Sequence, residues 1–118
     1  MTERTYDKGL AGESRAVLYL QKIGYRLVHK RYRSLYGEVD LIMRDNDTLV
    51  FVEVKLRYTG RSGDGLMAVT KKKQRRIIKT ALFYLAEHDH DGSIRFDVIE
   101  ETGDGVRHIT DAFQGSEF

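Results

Sequence analysis

Asp40, Glu53 and Lys55 are the residues of this chain whose types and spacing best suit chemistry. The first lies in Gly37-Glu38-Val39-Asp40-Leu41-Ile42-Met43 and the other two in Thr48-Leu49-Val50-Phe51-Val52-Glu53-Val54-Lys55-Leu56-Arg57, with the polar stretch Arg44-Asp45-Asn46-Asp47 between the runs. Two apolar runs joined by Asn and Asp read as a β-hairpin. Strand side chains alternate between faces, so Phe51, Glu53 and Lys55 share one face and Val50, Val52 and Val54 the other. On the partner strand Glu38, Asp40 and Ile42 form one face, which places Asp40 beside Glu53 across the hairpin. Hard divalent cations such as Mg²⁺ take carboxylate, carbonyl and phosphate oxygens, so Asp40 and Glu53, with the Val54 carbonyl, form a candidate metal pocket. A metal in such a pocket polarises a phosphodiester and acidifies bound water, while a lysine at its edge stabilises developing charge or helps to deprotonate the nucleophile. A surface ion-pair network on a hairpin is the alternative, and the apolar flanks of both strands argue against it.

The elements that must position these groups follow from periodicity. Lys8 to Gly24 reads as an amphipathic helix with Leu10, Ala16, Val17, Leu20 and Ile23 on one arc, closed by Gly24. Glu13 falls inside that arc, where a carboxylate needs a cation, a metal or a wet cleft, and it joins Asp40 and Glu53 as a candidate metal ligand. Tyr25 to Arg33 is predicted to be a charged edge strand, leading into a turn at Ser34-Leu35-Tyr36-Gly37. Tyr58 to Gly65, rich in glycine, is expected to be a loop. Thr70 caps a second helix to about His88, with Ile77, Ile78, Ala81, Leu82 and Leu85 as its buried stripe. Ser93 to Glu100 and Val106 to Ile109, joined by Thr102-Gly103-Asp104-Gly105, form a last hairpin. The order helix, three strands, helix, two strands predicts an α/β domain, a central sheet with helices packed on it.

Positive charge is clustered. His29-Lys30-Arg31-Tyr32-Arg33 and Lys71-Lys72-Lys73-Gln74-Arg75-Arg76 hold much of it, although the formal net charge is only +2. Lysines in the first turn of a helix oppose its dipole, at about 0.3–1 kcal/mol each. Their placement makes sense where the helix N-terminus faces an anion such as a phosphate. Lys30, Arg31, Arg33, Lys71, Lys72 and Arg75 are therefore the candidate nucleic-acid contacts. Against this stands the ordinary reading of basic runs as solvated surface.

The 118 residues suit a single domain spanning 1–118, with a fold core at about 8–100. With no cysteine, a disulfide framework and a thiolate zinc site are excluded. His88 and His90 lack a third ligand nearby and read as loop residues. Gln74 could face substrate or be an ordinary exposed helical residue, and Tyr25, Tyr32, Tyr36, Tyr58 and Tyr84 could stack on bases or close the core. The N-terminal residues carry no apolar signal segment and no stretch approaches a membrane span, so a cytoplasmic protein is expected.

The constellation resembles the PD-(D/E)XK superfamily of metal-dependent nucleases, which includes restriction endonucleases and Holliday-junction resolvases. Within it, Gly12-Glu13, Gly37-Glu38-Val39-Asp40-Leu41-Ile42, Leu49-Val50-Phe51-Val52-Glu53-Val54-Lys55 and Arg95-Phe96-Asp97-Val98 resemble the YraN-like proteins, described as predicted endonucleases. The similarity runs from about Lys8 to Ile99. It implies a restriction-endonuclease-like three-layer fold, with a central mixed β-sheet flanked by helices. It makes Asp40 the motif aspartate, Glu53 the acidic member and Lys55 the motif lysine, with Glu13 as the extra helical carboxylate. Val39 stands where the motif's name has proline. The implied activity is a Mg²⁺- or Mn²⁺-dependent endonuclease acting on DNA, with a preference for branched DNA, and paired nicks on opposite strands would be most simply made by two active sites and so by a homodimer. The competing expectation is a non-catalytic nucleic-acid-binding adaptor that keeps the fold.

Overall fold

The structure, a computed structural model, describes residues 2–56 and 69–115, with side chains described from residue 11 onward. The loop expected at Tyr58 to Gly65 lies outside the described residues. Helix α1 spans Thr2–Lys22, followed by strands β1 (Arg26–Ser34), β2 (Gly37–Asp45) and β3 (Thr48–Leu56). Helix α2 (Lys71–Glu87) then precedes β4 (Ile94–Thr102) and β5 (Gly105–Phe113). This is the expected α-β-β-β-α-β-β order. The first helix begins six residues before Lys8, in a polar stretch where an apolar period gives no signal.

The strands form one sheet in the order β1-β2-β3-β4-β5. Three pairings are antiparallel and β3–β4 is parallel. A parallel neighbour cannot be reached by a tight turn, and α2 lies in the connection between them. As expected, β1 is an edge strand, carrying exposed charges along its length. No helix among the described residues is long and apolar enough to cross a membrane.

Two cores lie on opposite faces of the sheet. Ile77, Ile78, Ala81 and Tyr84 of α2 pack on Val39, Ile42, Leu49, Phe51, Phe96, Val98 and Phe113. Ala16, Val17 and Leu20 of α1 pack on Leu41, Met43, Val50, Val52 and Ile99. The sandwich is therefore helix, sheet, helix. Two residues leave their expected stripes: Leu82 is 57% exposed on α2, and Ile23, just beyond α1, is 47% exposed. Phe113 stacks on Phe96 with ring centroids 5.1 Å apart, so β5 reaches beyond Ile109 and adds to the core.

The close approach of α1 to the sheet depends on Gly12. A Cβ there would stand 2.4 Å from Leu56 Cδ2 and 2.7 Å from Glu101 Oε2. A helix-interior glycine costs helix propensity, and here it allows the helix to approach the ends of β3 and β4.

Candidate metal and nucleic-acid site

Alternation along β2 is interrupted at Asp40. Val39 and Ile42 both join the α2-side core, while Leu41 and Met43 face α1. Opposite this point Arg31 takes a left-handed φ of 53°, and the β1–β2 pairing skips from Lys30↔Leu41 to Tyr32↔Val39. The β2–β3 ladder likewise ends at Leu41↔Val52, one step short of an Asp40–Glu53 pair. The Val54 amide instead donates to Asp40 Oδ2 at 2.8 Å. A side chain thus takes the place of a ladder carbonyl, and the Asp40 carboxylate is fixed beside β3.

Glu53 lies next to it, only 4% exposed. The two carboxyls are close enough to share a hydrogen bond. Burial first, and then the charge of Glu53, push the Asp40 carboxyl up to about 8, against the opposing pull of the Val54 amide. Two carboxylates in a partly desolvated site cannot both ionise without a counter-cation. Lys73, from the first turn of α2, supplies one, with Nζ 2.7 Å from Glu53 Oε1. Lys55 lies farther off, at 3.8 Å from the same oxygen. The two lysines respond oppositely. Burial and the neighbouring Lys73 lower the Lys55 ammonium, whereas on Lys73 burial, the largest effect, is outweighed by the charge and hydrogen bond of Glu53 together with Lys55 and Asp40, so the ammonium stands above its usual value.

Asp40, Glu53 and Lys73, though not Lys55, line an open cavity of about 480 Å³ with Gly37, Glu38, Thr70, Lys72, Arg76 and Ile77. Thr70 caps α2, its hydroxyl accepting from the Lys73 amide at 3.2 Å. The positive end of the helix therefore opens on the carboxylates, as its lysines suggested. Glu100, fully buried, stands opposite Lys55 on β4 and opposite Arg107 on β5. Its place beside Lys55 had no local signal in the sequence, because the β3–β4 pairing is long-range.

Of the candidate metal ligands, Asp40 and Glu53 are brought together. Glu13 is near enough to raise Asp40 further, but its Oε1 accepts from Arg31 Nε at 2.9 Å. Among the described residues no three His, Cys, Asp or Glu side chains converge as a ready ligand set. The basic candidates divide into two groups. Arg31 is held by Glu13, and Arg33 pairs with Glu38 at 2.6 Å, so Glu38 serves β1. Lys30 and Lys71 are exposed, whereas Lys72 lines the cavity. Arg75 lines a second, adjoining cavity with Lys72, Arg76 and Lys79. Lys73 and Arg76 stood in the basic run but not among the candidate contacts, and Lys79 was not named in the sequence. Their helical phase, three or four residues apart, is the signal that could have shown a common face.

The remaining polar candidates have structural partners. Gln74 Nε2 donates to the Val69 carbonyl at 2.9 Å. His88 stacks on Tyr84 and bonds its carbonyl, and His90 bonds the Ser93 carbonyl. Tyr25 and Tyr84 are buried in the two cores. Arg95 and Asp97, also noted in the sequence, form a separate buried network on the α1 side: Asp97 accepts from Arg95 Nε at 2.9 Å and the Asp111 amide at 3.0 Å, and pairs with His108 Nε2 at 2.7 Å.

Comparison with known proteins places the chain in a family. It matches Uncharacterised protein family UPF0102 over residues 12–100. It is 46% identical over 108 residues to a UPF0102 protein of Sulfurihydrogenibium sp., covering 91% of this chain and 94% of the relative. Identity to the UPF0102 protein of Persephonella marina is 43% over 110 residues, covering 92% and 95%. For that of Nitrosomonas europaea it is 43% over 103 residues, covering 87% of each chain. The chain belongs to the UPF0102 family, the YraN-like group.

Proposed function

We propose that this UPF0102 protein is a metal-dependent nuclease that hydrolyses phosphodiester bonds in DNA. The observation that carries this reading is the pair Asp40 and Glu53, held together at a cavity whose other wall is the positive end of α2. The Asp40 carboxyl keeps a proton up to about pH 8 and the Lys73 ammonium sits on Glu53, so the pair is compensated by positive charge that a divalent cation would replace. Asp40 and Glu53 would hold Mg²⁺ or Mn²⁺, with Glu13 joining from α1 if released from Arg31. When bound, such an ion supplies Lewis-acid polarisation of the phosphodiester and an acidified water.

The remaining work falls to the chain's own residues. Lys72, Arg76 and the first-turn amides of α2 hold the phosphate backbone at the cavity rim. Lys55, its ammonium made more acidic by burial, would as the free amine take a proton from the attacking water or as the ammonium stabilise charge on the phosphate. The resemblance to the PD-(D/E)XK superfamily supports the same roles. By that resemblance the substrate is branched DNA, and two copies of the chain would make paired nicks.

A specific observation favours a second reading, a DNA-binding adaptor without catalysis. Both Glu53 and Glu13 are already neutralised internally, by Lys73 and Arg31. Incubating duplex, single-stranded, flapped and four-way-junction DNA with Mg²⁺ or Mn²⁺ separates the two. The nuclease reading expects cleavage that Asp40→Ala and Glu53→Ala abolish. Binding without cleavage by the native chain, unchanged in both variants, would establish the adaptor.

A further inference from the structure

The turn between β1 and β2 is unusual in its composition. Ser34 pairs with Gly37, so the turn itself is Leu35-Tyr36. Two-residue hairpin turns favour Asn, Asp and Gly. Neither Leu35 nor Tyr36 takes a left-handed φ, so backbone geometry gives no reason for these residue types. Leu35 is 95% exposed, more than any other large apolar residue described, and Tyr36 is 47% exposed. The turn is nonetheless firmly held. The Tyr36 amide donates to Ser34 Oγ at 3.0 Å, and Ser34 Oγ bonds the fully buried Thr80 of α2 at 2.8 Å. An apolar tip is thus presented to solvent on a fixed base.

Beside it α2 carries a row of cations. A cavity of about 530 Å³ is lined by the turn and by Lys72, Arg75, Arg76 and Lys79, with no carboxylate among its lining residues. Lys79 Nζ stands 5.3 Å from the centre of the Tyr36 ring. The cavity shares Gly37, Lys72 and Arg76 with the one that contains Asp40 and Glu53. Three residues along β2 separate Gly37 from Asp40, about 10 Å at the usual strand rise. A polyanion crossing the acidic site therefore continues over the basic cavity and meets Leu35 and Tyr36 within about three base steps of 3.4 Å.

We propose that Leu35 and Tyr36 form a base-contacting tip that engages an unstacked base where a single strand leaves a duplex, while Lys72, Arg75, Arg76 and Lys79 hold the adjoining phosphates. This deepens the nuclease reading and rests on it. A stacked duplex buries the faces of its bases, so only an unpaired base can lie on an exposed leucine and a tyrosine ring. The tip thereby distinguishes strand boundaries from uniform duplex, without reading sequence.

The test is equilibrium binding, by fluorescence anisotropy in EDTA, of a blunt duplex and of the same duplex with a single-stranded tail. The native chain is expected to favour the tailed duplex roughly ten-fold, as one stacked base would give. Leu35→Ser combined with Tyr36→Ala should bind both forms equally, near the native affinity for blunt duplex, and melt at the native temperature because neither side chain is buried. Arg75→Ala combined with Arg76→Ala should weaken both forms by a common factor and flatten the salt dependence. A native chain without preference, or a turn variant that keeps it, overturns the tip and leaves the nuclease reading standing. Absence of native binding to either form at low salt overturns the nucleic-acid reading itself.

Discussion

Lys73 Nζ approaches Glu53 Oε1 to 2.7 Å, whereas Lys55 Nζ, two residues from Glu53 on the same strand, stays at 3.8 Å. The lysine from the helix, more closely than Lys55, pairs with the buried carboxylate. Lys73 therefore competes with any cation at Asp40 and Glu53. Lys73→Met should destabilise the metal-free chain by about 1–2 kcal/mol, less than for a fully buried pair because the lysine is partly exposed. The same variant should bind Mn²⁺ several-fold more tightly than the native chain. Thermal melts with and without Mn²⁺, together with titration calorimetry, check both effects, and unchanged Mn²⁺ affinity would separate Lys73 from the cation site.

Asp40 gives the metal-free chain a definite pH dependence. Its carboxyl moves from 3.8 to about 8 on folding, so between those values the native chain keeps a proton that the unfolded chain has released. Stability from this group is greatest below about pH 4 and falls as pH rises to about 8, by at most about 1.4 kcal/mol per unit. Glu101, raised by burial, adds a slope of the same sign. Denaturant melts between pH 5.5 and 8 should show the decline, and Asp40→Asn should remove most of it. A divalent cation needs the ionised carboxylate, so Mn²⁺ affinity should rise over the same range with release of a proton.

Lys55 provides a kinetic prediction. Lys55→Ala should reduce cleavage by two orders of magnitude or more, while leaving DNA affinity within a factor of about two. Lys55→Arg keeps the charge but not the readily titrated amine. Recovery of cleavage by arginine would make the residue a charge stabiliser, and failure to recover would make it the base.

What the sequence revealed of this site, and what it concealed, follows from the range of the interactions. Asp40, Glu53 and Lys55 were legible because strand period two and a short turn relate them locally. Even so, alternation alone missed the irregularity at Asp40, which lies opposite the left-handed Arg31 of β1. Lys71, Lys72 and Lys73 are alike as a run. Only the rotational phase of α2 over the sheet decides that Lys73 meets Glu53 while Lys72 lines the cavities, and that phase is set by Ile77, Ala81 and Tyr84 packing on distant strands. The start of α1 was hidden for a different reason, because Thr2 to Asp7 carry no apolar stripe.

Gly12 offers a test of the packing that closes the α1 side. Gly12→Ala improves helix propensity by about 1 kcal/mol, so a free helix would gain from it. Here the new methyl meets Leu56 at 2.4 Å and the Glu101 carboxylate at 2.7 Å. Leu56 can yield as a flexible side chain, but Glu101 is buried and tied to Arg15 at 3.0 Å. Net destabilisation of about 1–3 kcal/mol is expected, read as a lower melting temperature. A stabilised variant would show that α1 can move away from the sheet at little cost.

Asp97 carries the complementary prediction on the far side of β4. Its Oδ1 accepts from the amide of Asp111, a residue at φ 51°, and pairs with Arg95, while its Oδ2 pairs with His108. Burial alone would raise this carboxyl, but the hydrogen bonds of His108, Arg95 and the Asp111 amide outweigh it and hold the group below its usual range. The stabilisation is present above about pH 4 and is lost as pH falls through the depressed value, the reverse of the Asp40 effect. Asp97→Ala leaves a buried histidine, an arginine and an amide without their acceptor, and should cost about 3–5 kcal/mol. It should also loosen β5, whose pairing shifts register between Phe96 and Val98. Hydrogen exchange can locate the effect. Fast exchange confined to β5, with β2 and β3 still protected, would show that the Asp97 network fastens the edge strand and leaves the Asp40–Glu53 site intact.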